Sequence, residues 1–251
     1  MQTKEKLVSA RNIFFRFIYL KIVKKIFFKF DPEKIHNFML FWFEVFGSNF
    51  ITRGTAYLLW GYSNKALEQD VLGIHFKNPV GLAAGFDKDA VGIKFIPCLG
   101  FGFAEVGSVT GEKCKGNPKP RIWRLPEHKS IIIHIGLKND GAEIISKRMS
   151  RKKYAIPVGI SIAKTNCKET VDVKAGIEDY LKAYKAFSGI GNYYCINISC
   201  PNAFGGEQFN DPEKLDMLLT EIAKVPSKKP IFLKMASDLT HDQIDATLEI
   251  A

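Results

Sequence analysis

The chain has 251 residues, 46% hydrophobic and 25% charged, which argues against disorder and suffices for one large domain, alone or with a small accessory element. Net charge is +10, yet the first thirty residues carry eight basic side chains against Glu5 alone, so the body is close to neutral; with no zinc-finger, RNP-type or basic-zipper pattern, nucleic acid is not an expected partner. Five cysteines (Cys98, Cys114, Cys167, Cys195, Cys200) form no C-x-x-C pair, which speaks against a zinc knuckle or a secreted disulfide framework, leaves no metal site, and fits a reducing compartment.

The N-terminal run "RNIFFRFIYLKIVKKIFFKF" predicts an amphipathic helix. Phe14, Phe15, Phe17, Ile18, Ile22, Ile26 and Phe30 share one side at helical spacing, and Arg11, Lys21, Lys25 and Lys29 gather on the other. Arg16, Lys21, Lys24 and Lys25 interrupt the apolar residues, so neither a signal peptide nor a spanning helix of ~20 apolar residues is indicated. Two readings stand: a helix lying among lipid headgroups with its lysines near anionic lipid, or a helix packed on its own domain with a solvated basic face. Asp31-Pro32 then starts a second helix crowded with Phe38, Met39, Phe41, Trp42, Phe43 and Phe46. That is more aromatic surface than a small cap buries, which favours a membrane or another lipophilic partner.

From residue 71 the pattern changes to short apolar runs alternating with helical stretches. A hairpin "VLGIHFKNPV" precedes strand 80–84 and a helix near 89–99; strand 103–109 is followed by a second hairpin from "RIWRL" and "SIIIHIG". Helix 139–149, strand 157–163, helix 174–188, strand 193–199, helix 211–224, strand 230–236 and a helix from Thr240 complete five βα units. Near-continuous Val/Ile/Leu runs indicate parallel strands buried on both faces. Each strand ends in a polar or glycine cluster: Gly85-Phe86-Asp87-Lys88, Gly107-Ser108, Ala163-Lys164-Thr165-Asn166, Ser199-Cys200-Pro201-Asn202, and Lys234. No G-x-G-x-x-G follows a strand, so an α/β fold of the (β/α)8 barrel type is preferred to a doubly wound sheet. Eight units need more chain than these residues supply.

Candidate chemistry lies at those strand ends. Cys200 has an ordinary reading as a small buried hydrophobe, but Pro201 breaks the ladder and Gly205-Gly206 loosens the loop, so Cys200 and Asn202 stand where side chains can face a ligand. A thiol of pKa ~8.5 can serve as a base if a cation or bound group lowers it. Lys88 and Lys234 interrupt apolar runs, which implies anionic partners unless they snorkel to water. Asn197, between Ile196 and Ile198, is a buried amide in need of fixed partners, as a flat heterocycle would supply. His36 and Arg124, taken alone, are surface residues.

The segments "NPVGLAAGFDKDA", "GFGFAEVGSVT", "GNPKPRIWRL", "GLKNDG", "INISCPN" and "IFLKMASDLT", in this order and spacing, resemble the dihydroorotate dehydrogenases, FMN-dependent barrel enzymes of pyrimidine biosynthesis. The likeness runs from about residue 31 to the end. "FFKFDPEKIH" and the aromatic helices resemble the quinone-dependent branch, which implies a membrane-associating helix at 1–30, a helical cap forming a quinone tunnel at 31–70, and an incomplete barrel at 71–251. It also implies a peripheral place on the cytoplasmic side of the cell membrane. By this resemblance Ala83, Ala84 and Gly85 would approach FMN, while Ser108, Ser161, Asn197 and Lys234 would bond to it. Lys88, Gly136, Leu137, Asn197 and Asn202 would hold dihydroorotate or orotate. Cys200 would be the general base, and His36 and Arg124 would line the quinone tunnel.

Four departures stand out. The quinone-dependent branch usually carries serine where Cys200 stands; Ile133 and Ser161 occupy positions where family members place asparagines; and the last three βα units are missing. Two alternatives follow: a related dihydropyrimidine dehydrogenase, or an inert membrane-bound flavin scaffold.

Overall fold

The computed structural model describes residues 2–150 and 152–251. The helices of the N-terminal part are α1 (Gln2–Ile18), α2 (Lys24–Phe27), α3 (Pro32–Ser48) and α4 (Phe50–Trp60), followed by strands β1 (Gln69–Val71), β2 (Ile74–Phe76), β3 (Gly81–Leu82) and β4 (Phe103–Val109). The rest comprises β5 (Ile122–Leu125), β6 (Ser130–Ile133), α5 (Ala142–Met149), β7 (Val158–Ile162), α6 (Val173–Ala186), β8 (Tyr193–Asn197), α7 (Pro212–Ala223), β9 (Ile231–Lys234) and α8 (His241–Ile250). The chain divides into two compact units, one of residues 1–39 and 122–133, the other of 40–121 and 134–251.

In the first unit α1 runs through a π-helical turn, Tyr19–Val23, into α2 with no interruption in helical backbone. The extra residue per turn in such a stretch shifts which side chains share a face. Ile13, Phe14, Phe17, Leu20, Ile22, Ile26 and Phe30 are all exposed. Asp31 accepts the N–H of Lys34 at 2.9 Å and Pro32 occupies the first turn, so the sequence expectation of a helix start is met by a side-chain cap. No helix among the described residues is long and apolar enough to cross a membrane. β5 and β6 pair antiparallel, with Arg124 opposite Ile131. The Arg124 guanidinium donates to the carbonyls of Phe27 (3.2 Å) and Phe30 (2.8 Å) and lies 4.6 Å from the centre of the Phe28 ring. It therefore caps the carboxyl end of α2, where carbonyls lack helical partners and a cation suits the helix dipole.

The second unit is built on a five-stranded parallel sheet in the order β3-β4-β7-β8-β9. β1 and β2 form a separate antiparallel ribbon. The faces of the sheet differ in a way the apolar runs do not announce. Val106, Ile160, Tyr194 and Ile196 join the core with Tyr180, Tyr184 and Phe187 at α6 and Leu215 and Leu218 of α7, all buried. On the opposite face successive rungs align Glu105 with Gly159 and Tyr193, Ser161 with Cys195 and Phe232, and Asn197 with Lys234. A Cβ at Gly159 would collide with the Tyr193 ring, whose hydroxyl donates to Glu105 at 3.2 Å.

The helix expected near 89–99 is absent. Bends lead instead to a single 3₁₀ turn, Ile96–Leu99, stopped by Gly100 at φ +90°. The Asp87 carboxylate accepts the backbone N–H groups of Val91 and Gly92, both at 2.9 Å, and so holds the chain in a side-chain-bonded turn that competes with helix. Other boundaries move by a few residues, as when strand 80–84 contracts to Gly81–Leu82.

Replacing Arg124 by Met removes two hydrogen bonds from a cation to helix-end carbonyls, worth roughly 1.5–3 kcal/mol where both are well formed. The end of α2 should fray. Limited trypsin digestion of native protein should cut after Lys24, Lys25 and Lys29 about tenfold faster in R124M, since a tenfold change is about 1.4 kcal/mol.

Candidate functional site

The rung that pairs Asn197 with Lys234 starts a chain of hydrogen bonds across four strand ends. The Lys234 ammonium donates to Ser199 Oγ at 2.9 Å, and Ser199 Oγ donates to Asn197 Oδ1 at 2.9 Å. The backbone N–H of Ser199 also points at Asn197 Oδ1, 3.1 Å away, so that atom must be the oxygen of the amide. The Asn197 Nδ2 group is thereby turned towards Ser108 Oγ at 2.7 Å, and Ser108 meets Ser161 Oγ at 2.7 Å. Tyr180 donates to the Asn197 carbonyl at 2.8 Å. Ser108, Asn197 and Lys234, placed together by the resemblance, are thus joined in one relay. Ser161 is 0% exposed, and its hydroxyl meets only Ser108 among the side chains of this relay.

Beside the relay lies a shelf without bulk. Ala83 and Gly85 are exposed, and at Gly85 (φ +105°) an added Cβ would project into open space. The Gly85 N–H donates to the Gly107 carbonyl at 2.7 Å, locking the end of β3 to β4. Gly107 is required there: it has φ +111°, and a Cβ would strike the Ser161 carbonyl. The Lys88 ammonium folds back to donate to the Gly85 carbonyl at 2.5 Å, which puts its charge at the rim of this shelf. Burial raises the neighbouring Asp87 carboxyl to about 6, against the two N–H bonds that favour its ionised form.

Cys200 is half-buried and shares a cavity of about 10 Å³ with Leu137, Lys164, Tyr180 and Asn197. Burial pushes its thiol up from the ordinary value. The Asn202 N–H and the charges of Lys234 and Lys164 favour the thiolate but do not outweigh desolvation. A cation lowering the thiol, as the sequence allows, is therefore present in position but loses to burial. Lys164, which donates to the Phe204 carbonyl at 2.6 Å, is itself lowered by burial.

Asn202 enters a second cluster that sequence reasoning missed, made with Asn117, His134 and Asn166. Asn166 Nδ2 donates to Asn117 Oδ1 at 2.9 Å and to the Gly136 carbonyl at 3.2 Å, while Asn166 Oδ1 accepts the Phe204 N–H at 2.8 Å. Gly136 has φ +68°, and a side chain there would collide with both amides. Leu137 follows at φ +58°, a left-handed backbone that costs a non-glycine residue roughly 1–2 kcal/mol. The signal for these residues was available: Asn117 and His134 lie in the quoted segments "GNPKPRIWRL" and "SIIIHIG", and Asn166 in a strand-end cluster. Ile133 is exposed on β6, His36 is half-buried in α3, and Arg124 caps α2; all three belong to the first unit.

Comparison with known proteins places the chain in a family. Residues 66–251 match the family model described as dihydroorotate dehydrogenase. The chain belongs to the dihydroorotate dehydrogenase family. It is 39% identical over 239 residues to a dihydroorotate dehydrogenase (quinone) of Christiangramia forsetii, covering 93% of this chain and 68% of that protein. It is 33% identical over 231 residues to the enzyme of the same name from Gloeobacter violaceus, covering 92% of this chain and 64% of the relative. The crystal structure of DHODH in complex with ferulenol from Eimeria tenella superposes with TM-score 0.72 at 26% identity, covering 88% of this chain and 63% of that one. The chain spans between about half and about two thirds of the length of the relatives it matches, and its α/β fold is of the family's barrel type.

Asp87 gives this site a pH signature. Its folded pKa exceeds its unfolded value, so the native state binds more protons and stability falls as pH rises from about 4 to about 6, flattening above. Asp87→Asn should remove that slope. Thermal melts between pH 4 and 7 should show the Tm difference, D87N minus wild type, increasing across this window; a constant difference would contradict it.

Proposed function

We propose that this chain carries the substrate and flavin site of a quinone-dependent dihydroorotate dehydrogenase, oxidising dihydroorotate to orotate in pyrimidine biosynthesis. The observation that carries the reading is the relay Lys234–Ser199–Asn197–Ser108 running past Cys200 at the strand ends of a member of this family. Its donor set suits FMN: a cation, an amide and a hydroxyl lie beside a shelf of Ala83, Ala84 and Gly85 that a flat ring can approach. Bound FMN would supply the two-electron acceptor that takes hydride from C6 of the substrate and passes electrons to a membrane quinone.

The protein's own groups would do the rest. Lys234, held by Ser199, offers positive charge where the flavin gains electron density. Lys88 and the amides of Asn197 and Asn202 bind the ring and carboxylate of dihydroorotate, with Gly136 and Leu137 as a wall. Cys200 removes the proton from C5. Holding base and cofactor on one rigid set of strand ends replaces a chance encounter by a fixed geometry. The exposed aromatic face of α1 and α2, with its lysines, would rest on an anionic membrane surface at the cytoplasmic side, and His36 and Arg124 would border the quinone's route.

Protein purified with FMN should show near-stoichiometric flavin absorbance that bleaches when dihydroorotate is added anaerobically. Flavin that binds and stays oxidised would sink the reading. Cys200→Ala should keep flavin and lose at least 10²-fold in turnover, the scale of a general base. Because burial holds the thiol above its ordinary range, turnover should still be climbing with pH above neutrality, and in Cys200→Ser the rise should move higher still. Deleting residues 1–30 should abolish co-sedimentation with vesicles containing phosphatidylglycerol while dye-linked oxidation persists.

A further inference from the structure

At the end of the sheet opposite the relay, a cavity of about 600 Å³ opens beside the amino ends of β7 and β8. Its walls come from the β2 segment, the segment after α5 and the segment before β8, all within the second unit. The two ends of a parallel sheet lie a strand length apart, roughly 15 Å for a strand like β7. The cavity accordingly shares no residue with the strand-end cluster. Its volume suits a ligand of nucleotide size, since small-molecule sites run from about 300 to about 1,000 Å³.

The lining is cationic. Lys77, Lys152 and Lys153 contribute to it, no carboxylate does among the described residues, and none of the three lysines forms an ion pair with a described residue. His75 also lines the cavity, but Asp70 holds it at 3.0 Å and offsets its charge. Burial, then Lys94 and Arg148, lower the Lys152 ammonium from its ordinary value, and Glu44 opposes them only in part. The loop before β8 adds a donor. Its Ile190 carbonyl, which would repel an anion, accepts the Lys229 ammonium at 2.7 Å. Asn192 Oδ1 accepts the Val158 N–H at 2.9 Å, so this end of the amide is the oxygen and the nitrogen remains to donate. That nitrogen makes no hydrogen bond with a described residue. Ile74, Met149 and Ile156, all buried, supply an apolar floor.

We infer that this cavity binds a phosphorylated small molecule of nucleotide size, its phosphates met by Lys77, Lys152, Lys153 and the Asn192 amide, its uncharged part resting on the apolar floor. Ammonium groups serve phosphate as point charges, and the amide N–H adds direction. The site needs neither flavin nor dihydroorotate, so it stands or falls apart from the reading of the strand ends.

Calorimetric titration of the purified chain with ATP, inorganic phosphate and adenosine tests it. ATP should bind at one site and raise Tm, inorganic phosphate should bind about tenfold more weakly because it leaves the floor uncovered, and adenosine should not bind. Lys152→Met combined with Lys153→Met removes two charges. Asn192→Asp keeps the acceptor for Val158 and exchanges the donor for a carboxylate oxygen. Each variant should weaken ATP binding by about tenfold or more, with a Tm near wild type when no ligand is present. Absence of heat and of a Tm rise with ATP in the wild type would overturn the inference. So would wild-type ATP affinity in either variant, which would place the anion elsewhere, or adenosine or inorganic phosphate binding as tightly as ATP.

Discussion

The site depends on one register. In parallel strands β8 and β9, Asn197 lies directly beside Lys234, and both side chains leave the same face of the sheet. A shift by one residue would send the ammonium to the helix-packed face, where Val106, Ile160 and Ile196 leave it no partner. Packing of the apolar face against α6 and α7 fixes the register, and the opposite face inherits its order of Ser161, Cys195, Asn197 and Lys234 from that choice. Polar organisation at the strand ends is thus a consequence of hydrophobic selection on the other side of the same sheet.

Desolvation is the electrostatic theme of the strand ends. Asp87 is raised despite two N–H bonds, Cys200 is raised despite two lysines, and Lys164 is lowered despite nearby acidic groups. In each case the neutral form gains because the group has left water, and neighbouring charges recover only part of the loss. The backbone supports the strand ends with devices that need no side chain, namely Gly107 against Ser161 and Gly136 against Asn117 and Asn166.

The first unit obeys different physics. Its helices expose many large apolar side chains, and its hairpin spends Arg124 on the carbonyls that end α2. The chain segments 1–39 and 122–133 are far apart in sequence, yet one guanidinium links them. Read alone, "RIWRL" gives no hint that its arginine closes a helix.

Much was legible before any coordinates. Near-continuous apolar runs located the parallel strands and period-3.6 patterns most helices, and Thr240 and Asp31 marked helix starts, because these features are set by neighbours a few residues away. The polar tips "INISCPN" and "IFLKMASDLT" announced chemistry, since lysine and asparagine do not enter apolar runs without partners. What local pattern could not show was the fate of residues 89–99, where Asp87 captures two N–H groups and prevents a helix. Nor could it show that Ser161 is sealed behind Ser108, or that Asn117, His134 and Asn166 converge on Asn202. Those outcomes depend on which distant strand ends become neighbours. The amino-acid order by itself determined the element types and the residues able to carry charge into the interior; tertiary structure alone decided which of them meet, because hydrogen-bond partners are chosen by distance in space, and burial, which sets the protonation of Asp87 and Cys200, exists only once the sheet has packed.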